Sequence, residues 1–173
     1  DAAEAELQAA AKIFANVEGG APERIMVEGS RSILAAMRGK LPLADKRMRA
    51  TIALAEKAWD PDHRDNATLF VNHGRILMEL GKNEKTASEA NDKFEGAASQ
   101  VQRGIDGETK AMGPEYEGLA DGLSLLAEIK LAQGRPEDAE RLARRAASVA
   151  KAPETKLEFE VMAMVWHAHA ECD

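Results

Sequence analysis

The chain has 173 residues, 45% of them apolar but only 4% aromatic, and carries a net charge of -7. That length suits one domain with a sizeable core, or a short stack of repeated units, and excludes two ordinary domains. The acidic balance excludes a non-specific nucleic-acid binder, which needs a basic surplus to neutralise phosphates, while an apolar set dominated by alanine and leucine favours an all-α fold. No apolar run approaches the roughly 20 residues that cross a bilayer, so a soluble protein with no membrane partner is expected. The single cysteine, Cys172, can form no internal disulfide. The chain opens at Asp1 rather than Met, which leaves a processed or an omitted upstream segment as alternatives and the compartment undecided.

Residues 2–18 predict an alanine-rich helix with Leu7, Ala10, Ala11 and Phe14 on its buried side, stopped by Gly19 and Gly20. A second helix runs from Glu23 to Arg38 and stops at Gly39. After Pro42 a third carries Ala44, Met48, Ile52, Ala55 and Trp59 at helical spacing, ended by Asp60, Pro61 and Asp62. Asp65 or Asn66 can cap a fourth helix, with Leu69, Phe70, Ile76 and Leu77 leading to Gly81. A long fifth helix is expected from about Glu84 to Ile105. Gly104, Gly107, Gly113 and Pro114 then make 104–114 the expected hinge or loop.

The clearest punctuation lies in 118–152. Two amphipathic helices flank Gly134, which can leave the first in a left-handed conformation, and Pro136 suits the first position of the second. After Pro153 a last helix is expected, with Thr155 and Glu158 spaced as a capping box. Its apolar residues lie on more than one side, so much of it should be covered.

Laying the hairpins over one another places Gly39, Gly81 and Gly134 at one turn, at spacings of 42 and 53 residues. Pro61 and Pro114 each fall 20 residues before their glycine, and the 11 extra residues equal about three helical turns added to the middle unit. The stretches PDHRDNATLFVNHGRILMELGK and GPEYEGLADGLSLLAEIKLAQGRPEDAERLARRA resemble the tetratricopeptide repeat (TPR), in the long-helix variety typified by kinesin light chain. The resemblance implies a right-handed α-solenoid of about three helical hairpins over 23–59, 65–105 and 114–152, with terminal helices at 2–18 and 154–171. It also implies small-residue packing pairs: Ser32 with Ala44, Gly74 with Thr86 or Ala87, and Ala127 with Ala139.

In that family the first helix of each hairpin lines a concave face that receives a peptide or a partner's helix. By register this face comprises Met26, Gly29 and Ile33, then Thr68, Val71, Asn72 and Arg75, then Asp121, Ser124 and Glu128. Asn72 matches an asparagine that in the family bonds a bound peptide's backbone or terminal carboxylate, and Arg75 one turn on adds a cation. The plainer reading of Asn72 is a solvated polar residue. Met26, Met37 and Met48 are either an adaptable apolar surface or core. Lys46, Arg47 and Arg49 are expected to form a solvated face interleaved with acids such as Asp45, as are Arg141, Arg144 and Arg145 with Glu137 and Glu140.

His167 and His169 stand roughly 200° apart on a helix and cannot chelate one ion. His169 with Cys172, or His167 with Glu171, is better spaced but supplies only two ligands, and His63 and His73 read as structural. No nucleophile with an orienting base, phosphate-binding glycine loop or carboxylate pair is present as a motif. The expected function is therefore a non-enzymatic protein-interaction module, a monomer or weak dimer with no cofactor or metal. The alternative is a regulatory helical domain that holds a small ligand.

Overall fold

The computed structural model describes residues 2–17, 20–59 and 63–170, with the backbone alone for Arg64 and 167–170. The described residues form eight helices and no strand: α1 (Ala2–Phe14), α2 (Ala21–Met37), α3 (Leu41–Ala58), α4 (Arg64–Lys82), α5 (Ala87–Met112), α6 (Leu119–Ala132), α7 (Pro136–Val149) and α8 (Pro153–Ala170).

Two corners share one construction. Gly39 and Gly134 have φ of 70° and 69°. Their N–H groups donate to Ala36 and Leu131, and the following residues, Lys40 and Arg135, donate back to Ala35 and Lys130 at 2.9 Å. Both are Schellman closures, which only glycine makes without a Cβ clash. Proline then opens the next helix, Pro42 in α3 and Pro136 in α7.

The middle corner is different. Gly81 lies inside α4, and the helix ends at Asn83, whose side chain donates to the Glu79 carbonyl at 2.6 Å. A Cβ at Gly81 would stand 2.6 Å from the Phe94 ring, so this glycine serves a close helix approach rather than a left-handed turn. The long fifth helix begins later than expected, where the Thr86 hydroxyl accepts from the Glu89 N–H at 3.2 Å and donates to its carboxylate at 2.7 Å. Nor is 104–114 a hinge, because α5 continues through Gly104 and Gly107 to Met112. The added length is shared: α4 and α5 have 19 and 26 residues, against 14 each in α6 and α7.

Other ends also correct the sequence expectations. His63, not Asp65 or Asn66, caps α4, its Nδ1 accepting from the Asp65 N–H at 3.3 Å. Helix α8 starts at Pro153, with Lys156 donating to the Ala152 carbonyl, so Thr155 and Glu158 already lie within the helix and form no box. Gly19 and 60–62, expected as helix stops, lie outside the described residues.

Each helix packs on the next in order, and across hairpins α2 touches α4 and α4 touches α6. Of the second helices, α3 and α5 meet through the Arg103–Glu56 ion pair at 2.9 Å rather than by packing, so the first helices of the hairpins lie closer together than the second. Burial is shared between neighbours, as a stack of hairpins requires. One core joins α2 and α3 to α4 through Ile25, Met48, Ile52 and Phe70, and another joins α4 to α7 through Val101, Ile105, Leu123 and Ile129.

Small residues set the close approaches. The Ser32 hydroxyl donates to the Ala44 carbonyl at 2.6 Å, and Ala127, Ala139 and Ala143 share one cluster, which matches the pairs expected for the outer hairpins. Gly74 does not meet Thr86 or Ala87. It faces Ala97 and Val101, while Gly104 faces Ala67 and Val71 in return. The longer α4 carries the turn further along the chain, which slides the pairing by about three helical turns.

At the far end, Phe159, Ala163 and Trp166 bury one side of α8. Trp166 packs back on Ala127, Ala139 and Ala143. Leu157, Val161, Met164 and Val165 are exposed, so only one side of this helix is covered. At the near end, Glu4 of α1 accepts from Arg31 and from Arg47, each at 2.9 Å. The bonds from Arg47 and Arg31 hold the Glu4 carboxyl below the usual carboxylate range. A depressed folded-state pKa stabilises docking above the ordinary value, about 4.3, and is lost as pH falls through the lower one. Acidification to about pH 3 is thus expected to speed amide exchange in α1 ahead of α2, and Glu4→Gln to remove that pH dependence. Equal exchange of α1 in the variant and the parent across this range would show that the contact holds nothing.

Candidate binding groove

Along α2, residues spaced by seven and four bring Met26, Ile33 and Met37 onto one line. Their exposures are 64%, 38% and 81%. These are large apolar groups left to water on a helix whose other face is core. The third methionine, Met48, is fully buried. The facing line on α4 runs Asp65, Thr68, Asn72, Arg75 and Ile76, then Glu79.

Between the lines lie two open hollows. The first, of about 250 Å³, is walled by Met26, Gly29, Ile33, Trp59, Thr68 and Asn72. The second, of about 480 Å³, is walled by Ile33, Met37, Asn72, Arg75, Ile76 and Glu79. Ile33 and Asn72 belong to both. A smaller hollow of about 60 Å³ between α4 and α6 adds Asp121 and again includes Thr68 and Asn72.

Asn72 is therefore central. It is half-buried, and its amide forms no hydrogen bond with another described residue. Thr68 is exposed beside it. Val71 departs from expectation. It is 6% exposed and packs on Gly104 and Gly122, so most of its side chain belongs to the core between α4, α5 and α6, and it reaches only the floor of the smallest hollow. Arg75 is not a free cation: it donates to both oxygens of Asp121 at 2.9 and 3.0 Å, joining α4 to α6. Ser124 is half-buried and Glu128 exposed further along α6, and neither lines a described hollow. Sequence reasoning missed Trp59, Ile76 and Glu79 as groove residues. The spacing of Ile76 and Glu79 from Asn72 was available as a signal.

The basic run on α3 is not simply a solvated face. Asp45 is 5% exposed and binds Arg49 on one oxygen, while its other oxygen accepts from His73 Nε2 at 2.9 Å. His73 is 5% exposed, so this pair joins α3 to α4 out of reach of any substrate. Among the described residues no group of three or more His, Cys, Asp or Glu is placed to hold a metal. The side chains of His167 and His169, with Glu171 and Cys172, lie outside the described residues. No described helix is long and apolar enough to cross a membrane.

No protein-family model matches the sequence, and no curated protein matches it. Among solved structures, the crystal structure of BtubC (BKLC) from P. vanneervenii superposes with a TM-score of 0.75 at 13% identity, over 87% of this chain and 58% of that one. That neighbour is a helical-repeat protein, and the element order here agrees with it. The fold is a helical-repeat solenoid. At this identity the likeness carries the architecture alone, and the solenoid spans little more than half the length of the structure it matches.

Proposed function

We propose that the solenoid is a non-enzymatic, TPR-like interaction module that holds a segment of a partner protein along the face formed by α2, α4 and α6. The observation that carries this reading is the exposed Met26, Ile33 and Met37 line facing an Asn72 amide with no partner among the described residues. An apolar strip with one convergent amide suits a peptide, whose side chains fill hollows while its backbone needs a donor and an acceptor. Methionines adapt to varied shapes without a rigid pocket.

A displayed peptide library selected on the protein tests it. Ile33→Ser removes the wall common to both hollows and is expected to weaken the selected peptides by about 10-fold or more, and Asn72→Ala by about 5- to 10-fold. Selected peptides that bind both variants as tightly as the parent would move the site off this face. The second hollow also falls within the size of small-ligand sites, about 300–1,000 Å³. A small molecule retained through purification and lost with Ile33→Ser would favour that alternative.

A further inference from the structure

Charge divides the molecule. Among the described residues, five charged ones line the three groove hollows: Asp65, Glu79, Glu108 and Asp121 are acids, and Arg75 is the lone base. Arg75 is already held by both oxygens of Asp121, so it offers little to an incoming anion. Glu79 is bridged by Lys82 at 2.7 Å, but both side chains are nearly half exposed, and such a surface pair exchanges readily for another cation. The hollows lined by α2 and α3 away from the groove carry the reverse balance. There Arg24, Arg38, Lys40, Arg47 and Lys57 stand against Glu4 and Glu28.

We infer that the groove selects a cationic partner segment, one that presents two bulky apolar side chains flanked by lysine or arginine, rather than an acidic segment or a terminal carboxylate. This deepens the proposed groove function and rests on it. The two larger hollows are centred about eight residues apart along α4, or about 12 Å at 1.5 Å per residue. That distance matches apolar anchors eight apart on a helix, or four apart on an extended strand at about 3.3 Å per residue. The anchors seat on Met26, Ile33 and Met37, and the flanking cations meet Asp65 and Glu79. A terminal carboxylate in the same place would face these two acids, with no unpaired cation among the described residues lining the hollows.

The test uses synthetic peptides of about 16 residues and fluorescence anisotropy on the full chain. A helix-forming and an extended peptide each carry two leucines at the matching spacing with lysines elsewhere. Each has a glutamate counterpart and a counterpart with both leucines changed to alanine. One of the lysine peptides is expected to bind at least about tenfold more tightly than its glutamate counterpart, and to weaken between about 50 and 300 mM salt. Its alanine counterpart, of equal charge, should bind about tenfold more weakly, which separates groove binding from attraction to an acidic surface. Asp65→Asn with Glu79→Gln should narrow the preference for lysine over glutamate severalfold.

A glutamate peptide that binds as well as the lysine peptide, or no binding by either lysine peptide, overturns the inference. If the glutamate peptide binds and is lost with Ile33→Ser, the groove stands and only its charge selection falls. If bound peptide is indifferent to Ile33→Ser and to Asn72→Ala, the groove reading falls with it.

Discussion

Gly74→Ala is expected to destabilise the protein by about 1–3 kcal/mol, although alanine is the better helix former. A Cβ there would overlap Val101 Cγ2 and stand 3.0 Å from the Ala97 carbonyl oxygen. Neither can move aside cheaply, since a valine in a helix has one favoured rotamer and the carbonyl is backbone. Gly104→Ala, which would meet Val71 Cγ2 at 2.7 Å and the Ala67 carbonyl at 2.9 Å, should behave alike. The same helix holds the control. At Gly96 an added Cβ would meet only Leu77 at 3.7 Å, an ordinary contact, so Gly96→Ala should stabilise by about 0.5–1 kcal/mol. Urea unfolding of the three variants reads the sign directly. Stabilisation by all three would show that α4 and α5 are not held close by their glycines.

Asp45→Ala should cost about 2–3 kcal/mol, because it leaves His73 buried with neither ring nitrogen bonded. Its Nδ1 already has no partner among the described residues. His73→Leu should cost about as much by a different route, leaving one oxygen of a buried carboxylate desolvated while the other rests on an exposed Arg49. The double variant should cost clearly less than the two together, since each single change strands the group the other relies on. Additive losses in thermal unfolding would mean that the pair does not couple hairpin one to hairpin two.

How far the sequence disclosed this structure depends on what each glycine does. Gly39 and Gly134 were legible because a left-handed corner demands glycine, and proline follows within three residues. Gly81 and Gly104 are the same residue type serving a different end, a helix pressed against them, and nothing local distinguishes the two uses. Reading Gly104 and Gly107 as a hinge weighed propensity against a packing partner, α4, that only the folded chain supplies. The Ser32 and Ala44 pair was visible because its hairpin has a short corner, whereas the longer α4 displaced the pairing of Gly74.

At the groove, helical spacing was enough to place Thr68, Asn72 and Arg75 on one face. About three whole turns of slippage barely rotate a helix, so that face survived the error in register. Val71 lies one residue, about 100°, from Asn72. Which side of it is buried depends on where the long α5 passes. Arg75 and Asp121 are 46 residues apart, and their pairing follows from the lateral fit of α4 on α6.

Because the described helices pack on their sequence neighbours or the next first helix over, with ion pairs such as Glu4–Arg47 and Arg103–Glu56 reaching one helix further, no described layer ties α1 to α8. Strain introduced at α1 has to pass through the intervening hairpins to be felt at α8, and it weakens at each step. Such a body behaves less like a block than like a short spring with a stiff middle, where the glycine seam of α4 and α5 resists flexing. A guest lying across all three first helices would set the spring's pitch, so its grip at one end would be felt as curvature at the other.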